Sequence, residues 1–201
     1  MKTEQEKFWK GKFGFSYSKR ERNLKDIKSR VHHFKKILKN TKKIKSIFEI
    51  GTNIGLNLDA IKKIKPAIKT NGVEINKEVI SKINKKHVIF NGSILNFESK
   101  NNYDLVFTRA VLIHINPKKL SQVYKKIYDL SKKYILIDEF FNPTPISIDY
   151  RGHKNKLFKR DFAYEIMKKY NLKLVDYGFG WSKDPKFPQV DSNWFLFQKK
   201  H

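Results

Sequence analysis

The chain has no cysteine among its 201 residues, which removes disulfides, thiolate metal sites and every mechanism that runs through a cysteine nucleophile. It also lacks a long apolar run. No segment approaches the length that spans a bilayer, and the opening "MKTEQEKFWKGKFG" has charges and rings where a signal peptide needs an apolar stretch. We read a soluble, cytoplasmic protein. Arginine is scarce as well: it supplies only six of the 44 basic residues, although its fork is the better partner for phosphate and guanine. The formal charge of +25 therefore rests on lysine, spread along the chain beside Ile, Asn, Phe and Tyr, the residues that A/T-rich codons favour. We read it as solvated surface and base composition, with nucleic acid a partner that is not favoured.

What is present is core-forming. At 39% hydrophobic the chain reads as one domain able to bury most of its apolar surface. Leu24, Ile27, Val31, Phe34 and Leu38 recur at three- and four-residue intervals and predict a helix, with His32 and His33 off the stripe and on the surface. After it, "KSIFEIG", "IKTNGVEIN", "HVIFNGS", "YDLVFTRAV" and "KYILIDEFF" read as strands. The intervening "NIGLNLDAIKKIK", "NKEVISKINKK" and "NPKKLSQVYKKIYDLSKK" read as helices, with Pro66 closing the first, Asn76 capping the second and Pro117 starting the third. Such alternation predicts an α/β fold: a mostly parallel sheet with helices on both faces and binding loops at the strands' C-terminal ends. "NPTPISIDYRGHKNK" breaks the rhythm and reads as a long loop over the site. A helix over about 159–170 follows, and then "LKLVDYGFGW" and "SNWFLFQKK", which should pair as an antiparallel hairpin at the edge. We divide the domain into an N-terminal helical cap (1–44), a cofactor-binding core (45–141) and an acceptor side (142–201).

One loop has a gap of its own. "FEIGTNIGLNL" resembles a dinucleotide fingerprint with Gly51 and Gly55 in place, but Asn53 stands where the middle glycine would admit a pyrophosphate. NAD and FAD become poor ligands. S-adenosylmethionine has an adenosine and a methionine end but no pyrophosphate, so the middle glycine is dispensable. Glu74, in "GVEIN", ends the second strand at about the spacing where a carboxylate grips ribose hydroxyls. Its neighbour Ile75 can lie on the adenine face, and Ser93 and Ile94 in "NGSIL" stand where an adenine edge is read. Glu49, Gly51, Asn53 and Gly55 complete the set expected at the cofactor.

Taken with "DLVFTRAVLIHINP", "TEQEKFWKGKFGFSYSKR" and "SNWFLFQKK", these motifs resemble the methyltransferases associated with pseudaminic acid biosynthesis, within the class I S-adenosylmethionine-dependent superfamily. The resemblance covers nearly the whole chain. It implies a Rossmann-like class I methyltransferase fold with a seven-stranded sheet whose last strand is antiparallel, and a small, sugar-like acceptor. An Arg-Asn pair is expected after Tyr17; here Arg20, Arg22 and Asn23 are spread through "KRERN".

Methyl transfer needs proximity, orientation and, for a hydroxyl acceptor, a base. The loop after the fourth strand faces the methyl group in this architecture and holds the two catalytic candidates, Arg109 and His114. His114 either takes a proton from the acceptor or hydrogen-bonds the first turn of the helix after "HINP". Arg109 either holds a carboxylate of acceptor or cofactor or is a solvated strand end. Tyr17 and Trp9 either close over the methionine half of the cofactor or pin the terminus to the core. Tyr150, Arg151 and His153 either line the acceptor side or belong to the surface. No metal site is expected. Two other readings differ in class: a nucleic-acid methyltransferase and a non-catalytic binding module on the same fold. Covalent cytosine methylation has no cysteine to use, and the Asn/Asp-Pro-Pro-aromatic loop of amino-methylating enzymes is replaced after the fourth strand by "RAVL"; "NPTP" follows the fifth.

Overall fold

The computed structural model describes residues 2–19 and 24–200. Arg20, Arg22 and Asn23 lie outside them. Two short helices open the chain, α1 (Glu4–Lys10) and α2 (Lys12–Ser18), followed by α3 (Leu24–Leu38). Then come β1 (Ser46–Ile50), α4 (Leu56–Ile64), β2 (Lys69–Glu74), α5 (Lys77–Ile80), β3 (Val88–Asn91) and β4 (Tyr103–Arg109). The remainder is α6 (Leu120–Leu130), β5 (Ser131–Glu139), β6 (Ile146–Tyr150), β7 (His153–Lys159), α7 (Phe162–Lys169), β8 (Leu172–Gly180) and β9 (Ser192–Lys199).

Seven strands form one sheet in the order β3-β2-β1-β4-β5-β9-β8. β1 to β5 run parallel, and β9 is antiparallel to both β5 and β8. The expected terminal hairpin is therefore present, with β8 at the edge. The strand order reverses between β1 and β4, and the crevice outside their C-terminal ends is where an open α/β sheet receives its ligands.

Alternation along the strands sorts two cores. Ile47, Leu105, Phe107, Leu136, Trp194 and Leu196 face α3 and α4, where Phe34, Ile37, Leu58 and Ile61 meet them. Phe48, Val106, Ile135, Ile137 and Phe197 face the other way, against Val123, Tyr124 and Ile127 of α6 and Phe162 and Ile166 of α7. This two-sided burial explains why all seven residues of β4 are buried and why the strand reads as an unbroken apolar run.

Three expectations are corrected. The supposed long loop is a second, two-stranded sheet, β6 paired with β7. Its turn is the pair Arg151 and Gly152, both left-handed at φ 52° and 81°, as a tight type I′ hairpin requires; the usual Asn-Gly or Asp-Gly signal is absent. Helix α5 lasts one turn, because Asn84 offers the backbone an alternative: its Oδ1 accepts from the Lys86 N–H (3.0 Å) and its carbonyl from the His87 N–H (3.0 Å). His33 is buried, only 4% exposed, because α3 packs more of its circumference than one stripe; His32 stays exposed.

Candidate active site

The glycine loop turns sharply off β1. Gly51, Asn53 and Gly55 all take left-handed backbone conformations, at φ 71°, 46° and 82°. A Cβ on Gly51 would sit 2.7 Å from Val111 Cγ2 and one on Gly55 2.9 Å from Ile83 Cγ2, so both positions exclude larger residues by strain and by space. Asn53 is among the few residue types that tolerate that conformation. Its N–H is committed: it donates to Glu74 Oε2 at 2.8 Å, while Glu74 Oε1 accepts from the Asn76 N–H at 2.8 Å. Glu74 thus fastens the end of β2 to the loop after β1. Burial pushes its carboxyl above the ordinary value, against the pull of those backbone N–H groups.

A cavity opens outside these strand ends. Gly51, Asn53, Glu74, Ile75, Ser93 and Ile94 line it, as do Trp9, Tyr17, Arg109, His114 and Tyr150. Two predicted positions do not. Gly55 caps α4 behind the loop, and Glu49 lies under it, fully buried.

Glu49 belongs to a polar network on the α3/α4 face. Asn57 Nδ2 donates to Glu49 Oε1 at 2.6 Å, and Asn57 Oδ1 accepts from Arg30 and from Arg109 Nη1, the latter at 3.2 Å. Arg109 also donates to Gln189 Oε1 at 2.6 Å and lies 3.0 Å from Asp138 Oδ2 through Nε. Asp138 in turn bonds His33 Nε2 (2.8 Å) and the Ser192 hydroxyl (2.6 Å). Arg109 is therefore not a solvated strand end. Burial drives the Glu49 carboxyl up to about 8, opposed by the Asn57 amide and the two arginines. Asp138 is held below the usual range despite its burial, by His33 and Arg109. Burial likewise lowers His33, against the pull of Asp138.

His114 sits in the loop after β4. That loop begins with Ala110 at φ 53° and is clamped from below by Glu139, which accepts from the Val111 N–H at 3.0 Å and the Ile113 N–H at 3.3 Å. Burial raises the Glu139 carboxyl to about 7, against the backbone N–H groups of this loop. His114 does not cap the following helix. Its Nδ1 lies 2.6 Å from the Lys156 carbonyl of β7, and since a carbonyl only accepts, Nδ1 holds the proton and Nε2 the lone pair. Burial drives its pKa down to about 4, so the ring is neutral near pH 7. Trp9 packs on it at 4.5 Å between centroids and Tyr150 at 4.9 Å.

The N-terminal block is docked, not merely adjacent. The Thr3 N–H donates to Glu6 Oε2 at 2.7 Å and the Glu6 N–H to Thr3 Oγ1 at 3.2 Å, a complete capping box for α1. Gln5 bridges the Asn155 carbonyl and the Asn116 amide, and Lys156 pairs with Glu4. Of the three hairpin candidates, Tyr150 reaches the cavity, Arg151 lies in the turn, and His153 packs on Phe8 and Phe13.

Arg30, Asn57, Asp138, Glu139 and Gln189 were not singled out from the sequence. A signal existed for two of them. "LIDEFF" puts consecutive acids at the end of a strand buried on both faces, and alternation must send one to each side. Arg30 and Gln189 lie in a helix and a loop whose approach to the site depends on tertiary packing alone.

No protein-family model matches the sequence, and no curated protein matches it. Solved structures do. An S-adenosylmethionine-dependent methyltransferase from Clostridium acetobutylicum superposes with a TM-score of 0.66 at 13% identity, over 94% of this chain and 98% of that one. Magnesium protoporphyrin IX methyltransferase from Synechocystis, with its cofactor bound, gives 0.67 at 12% over 99% of both chains. A glycopeptide N-methyltransferase complexed with S-adenosylhomocysteine gives 0.67 at 8%, over 87% and 90%. The chain has the Rossmann-like fold of the class I S-adenosylmethionine-dependent methyltransferases.

Proposed function

We propose that this protein is an S-adenosylmethionine-dependent methyltransferase whose acceptor is a small, sugar-like molecule. The observation that carries the cofactor is the link between Asn53 and Glu74. A dinucleotide loop presents free N–H groups to phosphate oxygens; here the Asn53 N–H is already taken by Glu74. Glu74 lines the cavity, and its carboxylate can accept more hydrogen bonds than those from the Asn53 and Asn76 N–H groups, as ribose hydroxyls require. Ile75 supplies an apolar face for adenine, and Ser93 and Ile94 a polar and an apolar edge. Arg109 and Arg30, both lining the cavity, suit the carboxylate at the methionine end. When bound, the cofactor supplies an electrophilic methyl group on a sulfonium.

What the chain itself does is orient and hold protons. Lys156 fixes the His114 tautomer, Glu139 fixes the loop beneath it, and His114 Nε2 accepts a hydrogen bond from an acceptor hydroxyl. A pKa of about 4 makes this ring a weak base in the free protein, so its first contribution is orientation. The sugar-like acceptor is supported by the resemblance of the N-terminal block and "LIHINP".

Calorimetry tests the cofactor: S-adenosylmethionine and S-adenosylhomocysteine should bind and NAD should not. Labelled cofactor offered in parallel to a sialic-acid-like sugar extract, total RNA and DNA tests the acceptor. Label in nucleic acid and none in the sugars would overturn it.

A further inference from the structure

Exposed apolar surface is unevenly spread over this molecule. Among the described residues, every exposed large hydrophobic side chain except Val88 and Phe90 lies between Phe141 and Val190. The sheet register explains the share that falls on β8. Leu174 pairs with Phe197 and Tyr177 with Phe195, and residues opposite each other across a ladder share a face. Phe195 and Phe197 turn toward the core under α6 and α7, so Leu174 and Tyr177 turn that way too, as does Phe179, two residues on from Tyr177. At the edge strand the helical layer stops short of them, and they stay 40%, 66% and 53% exposed. Trp181, also exposed, follows directly after β8.

Helix α7 adds a flank to this strip. Phe162, Ala163 and Ile166 are its buried side, and Glu165 points to α6, accepting from the Tyr124 hydroxyl at 2.7 Å. Met167 stands about 200° round the helix from Glu165, away from α6. Since α6 packs on β4 and β5, the strand order puts β9 and β8 on that side. Met167 therefore borders the bare strip, with the exposed Tyr164 one turn away. The border is lysine. Lys168 lies 5.3 Å from the Tyr164 ring centroid, Lys173 precedes Leu174, and Lys183 and Lys186 follow Trp181; all four are exposed. The nearby acids have local partners: Asp176 faces the other side of the sheet and accepts from Asn40, Glu165 pairs with Arg160, Asp184 accepts from the Lys186 and Phe187 N–H groups, and Asp191 from Ser182.

We propose that the α7–β8 flank is a docking surface for an anionic phospholipid membrane. A run of large apolar side chains left in water marks an interaction site, and the lysine border selects the partner. A second copy would set one chain of +25 against another, lysine against lysine along the strip. Anionic headgroups carry the opposite charge. The hydrocarbon beneath them receives Met167, Leu174 and Phe179, while tryptophan and tyrosine rings settle at headgroup level. The contact is peripheral, since no helix among the described residues is long and apolar enough to cross a membrane. It also reaches the cavity. The Gln189 N–H donates to the Trp181 carbonyl at 2.9 Å, and the adjacent Val190 is both exposed and part of the cavity lining. The docked protein thus holds one rim of its cavity near the headgroups, whatever the acceptor is.

Vesicle binding tests this, using the intact chain with phosphatidylcholine alone and with an equal mixture of phosphatidylcholine and phosphatidylglycerol. Binding to the mixture should be at least about tenfold tighter, and tryptophan emission should move to shorter wavelength. Net charge alone brings some face of this chain to an anionic vesicle, so two variants decide which face it is. Trp181→Phe should still bind and lose the emission shift, because Trp194 is fully buried and Trp9 packs within the N-terminal block against His114. Tyr177→Ser combined with Phe179→Ser should melt at the parent's temperature, both side chains being exposed, and should bind the mixture at least about tenfold more weakly. An emission shift that survives in Trp181→Phe, undiminished binding by the double variant, or no preference for the mixture overturns the proposal. So does a protein that ignores both vesicles but forms a dimer that the double variant abolishes, an outcome that assigns the flank to a second copy.

Discussion

The two sides of the cavity are built from different materials. On the α3/α4 side, Arg109 lines it and is backed by a buried polar network that runs through Asn57 to Glu49 and through Asp138 to His33. Across from it, His114, Trp9 and Tyr150 form a wall of rings positioned by backbone atoms, with His114 held by a carbonyl and its loop by two N–H groups. Strand alternation explains the contrast. Glu49, Arg109 and Asp138 follow the register that points toward α3 and α4, whereas Glu139, one residue on, points the other way. One face of the sheet thus carries the buried Arg109–Asp138 pair within a polar network, and the other carries rings.

Breaking the charged side should have the largest effect. Asp138→Ala leaves Arg109 and His33 without their shared anion in a dry setting, and should cost about 3 to 5 kcal/mol of folding stability, measured by urea denaturation. A loss under about 1 kcal/mol would mean that water reaches the network, as at an exposed ion pair. The ring side should respond in activity instead. By loss of orientation, His114→Ala should lower turnover on a hydroxyl acceptor by about a hundredfold while leaving cofactor affinity nearly intact. A drop in melting temperature with normal turnover would assign His114 to the hairpin's stability alone. Next in size is Glu74→Ala, expected to weaken S-adenosylmethionine binding by about 1.5 to 3 kcal/mol by calorimetry; unchanged affinity would remove Glu74 from the ribose.

A fourth effect lies in pH. Glu49 stands at about 8 when folded against an ordinary 4.5, so its contribution to stability is fully present below the lower value and lost as pH rises through the higher one. Glu49→Gln keeps the neutral shape and cannot ionise. Its stability should therefore fall less steeply than the parent's between about pH 5 and about pH 9. Identical slopes would place the proton elsewhere, Glu139 at about 7 being the next group to examine.

Much of the parallel core was legible because long apolar strands have few alternatives: β1, β2, β4 and β5 emerge near their expected bounds, and Asn76 caps α5 as read, accepting from the Glu78 and Val79 N–H groups. The β6–β7 hairpin was not legible, since Arg-Gly does not advertise a two-residue turn and the exposed β6 has no buried face to set a strict alternation. His33 was misplaced because position on a helical wheel does not reveal that a buried carboxylate waits opposite. The lining given by Gly51, Asn53, Glu74, Ile75, Ser93 and Ile94 was readable because it is made by local motifs in fixed order. The charged half is made by contacts between residues far apart in sequence, such as Arg109 with Gln189 and His33 with Asp138, and single-chain spacing says nothing about them.

Asn76 ties the two halves together. Its Oδ1 caps α5 just beyond Glu74, while its Nδ2 faces the carbonyls of Trp9, Lys10 and Gly11 at 3.1, 3.3 and 3.2 Å. One amide therefore joins the end of β2 to the helix that presents Trp9. If the end of β2 and that helix move together when a ligand binds at Glu74, thermodynamic reciprocity requires that a ligand resting on Trp9 alter the hold of Glu74 by the same factor.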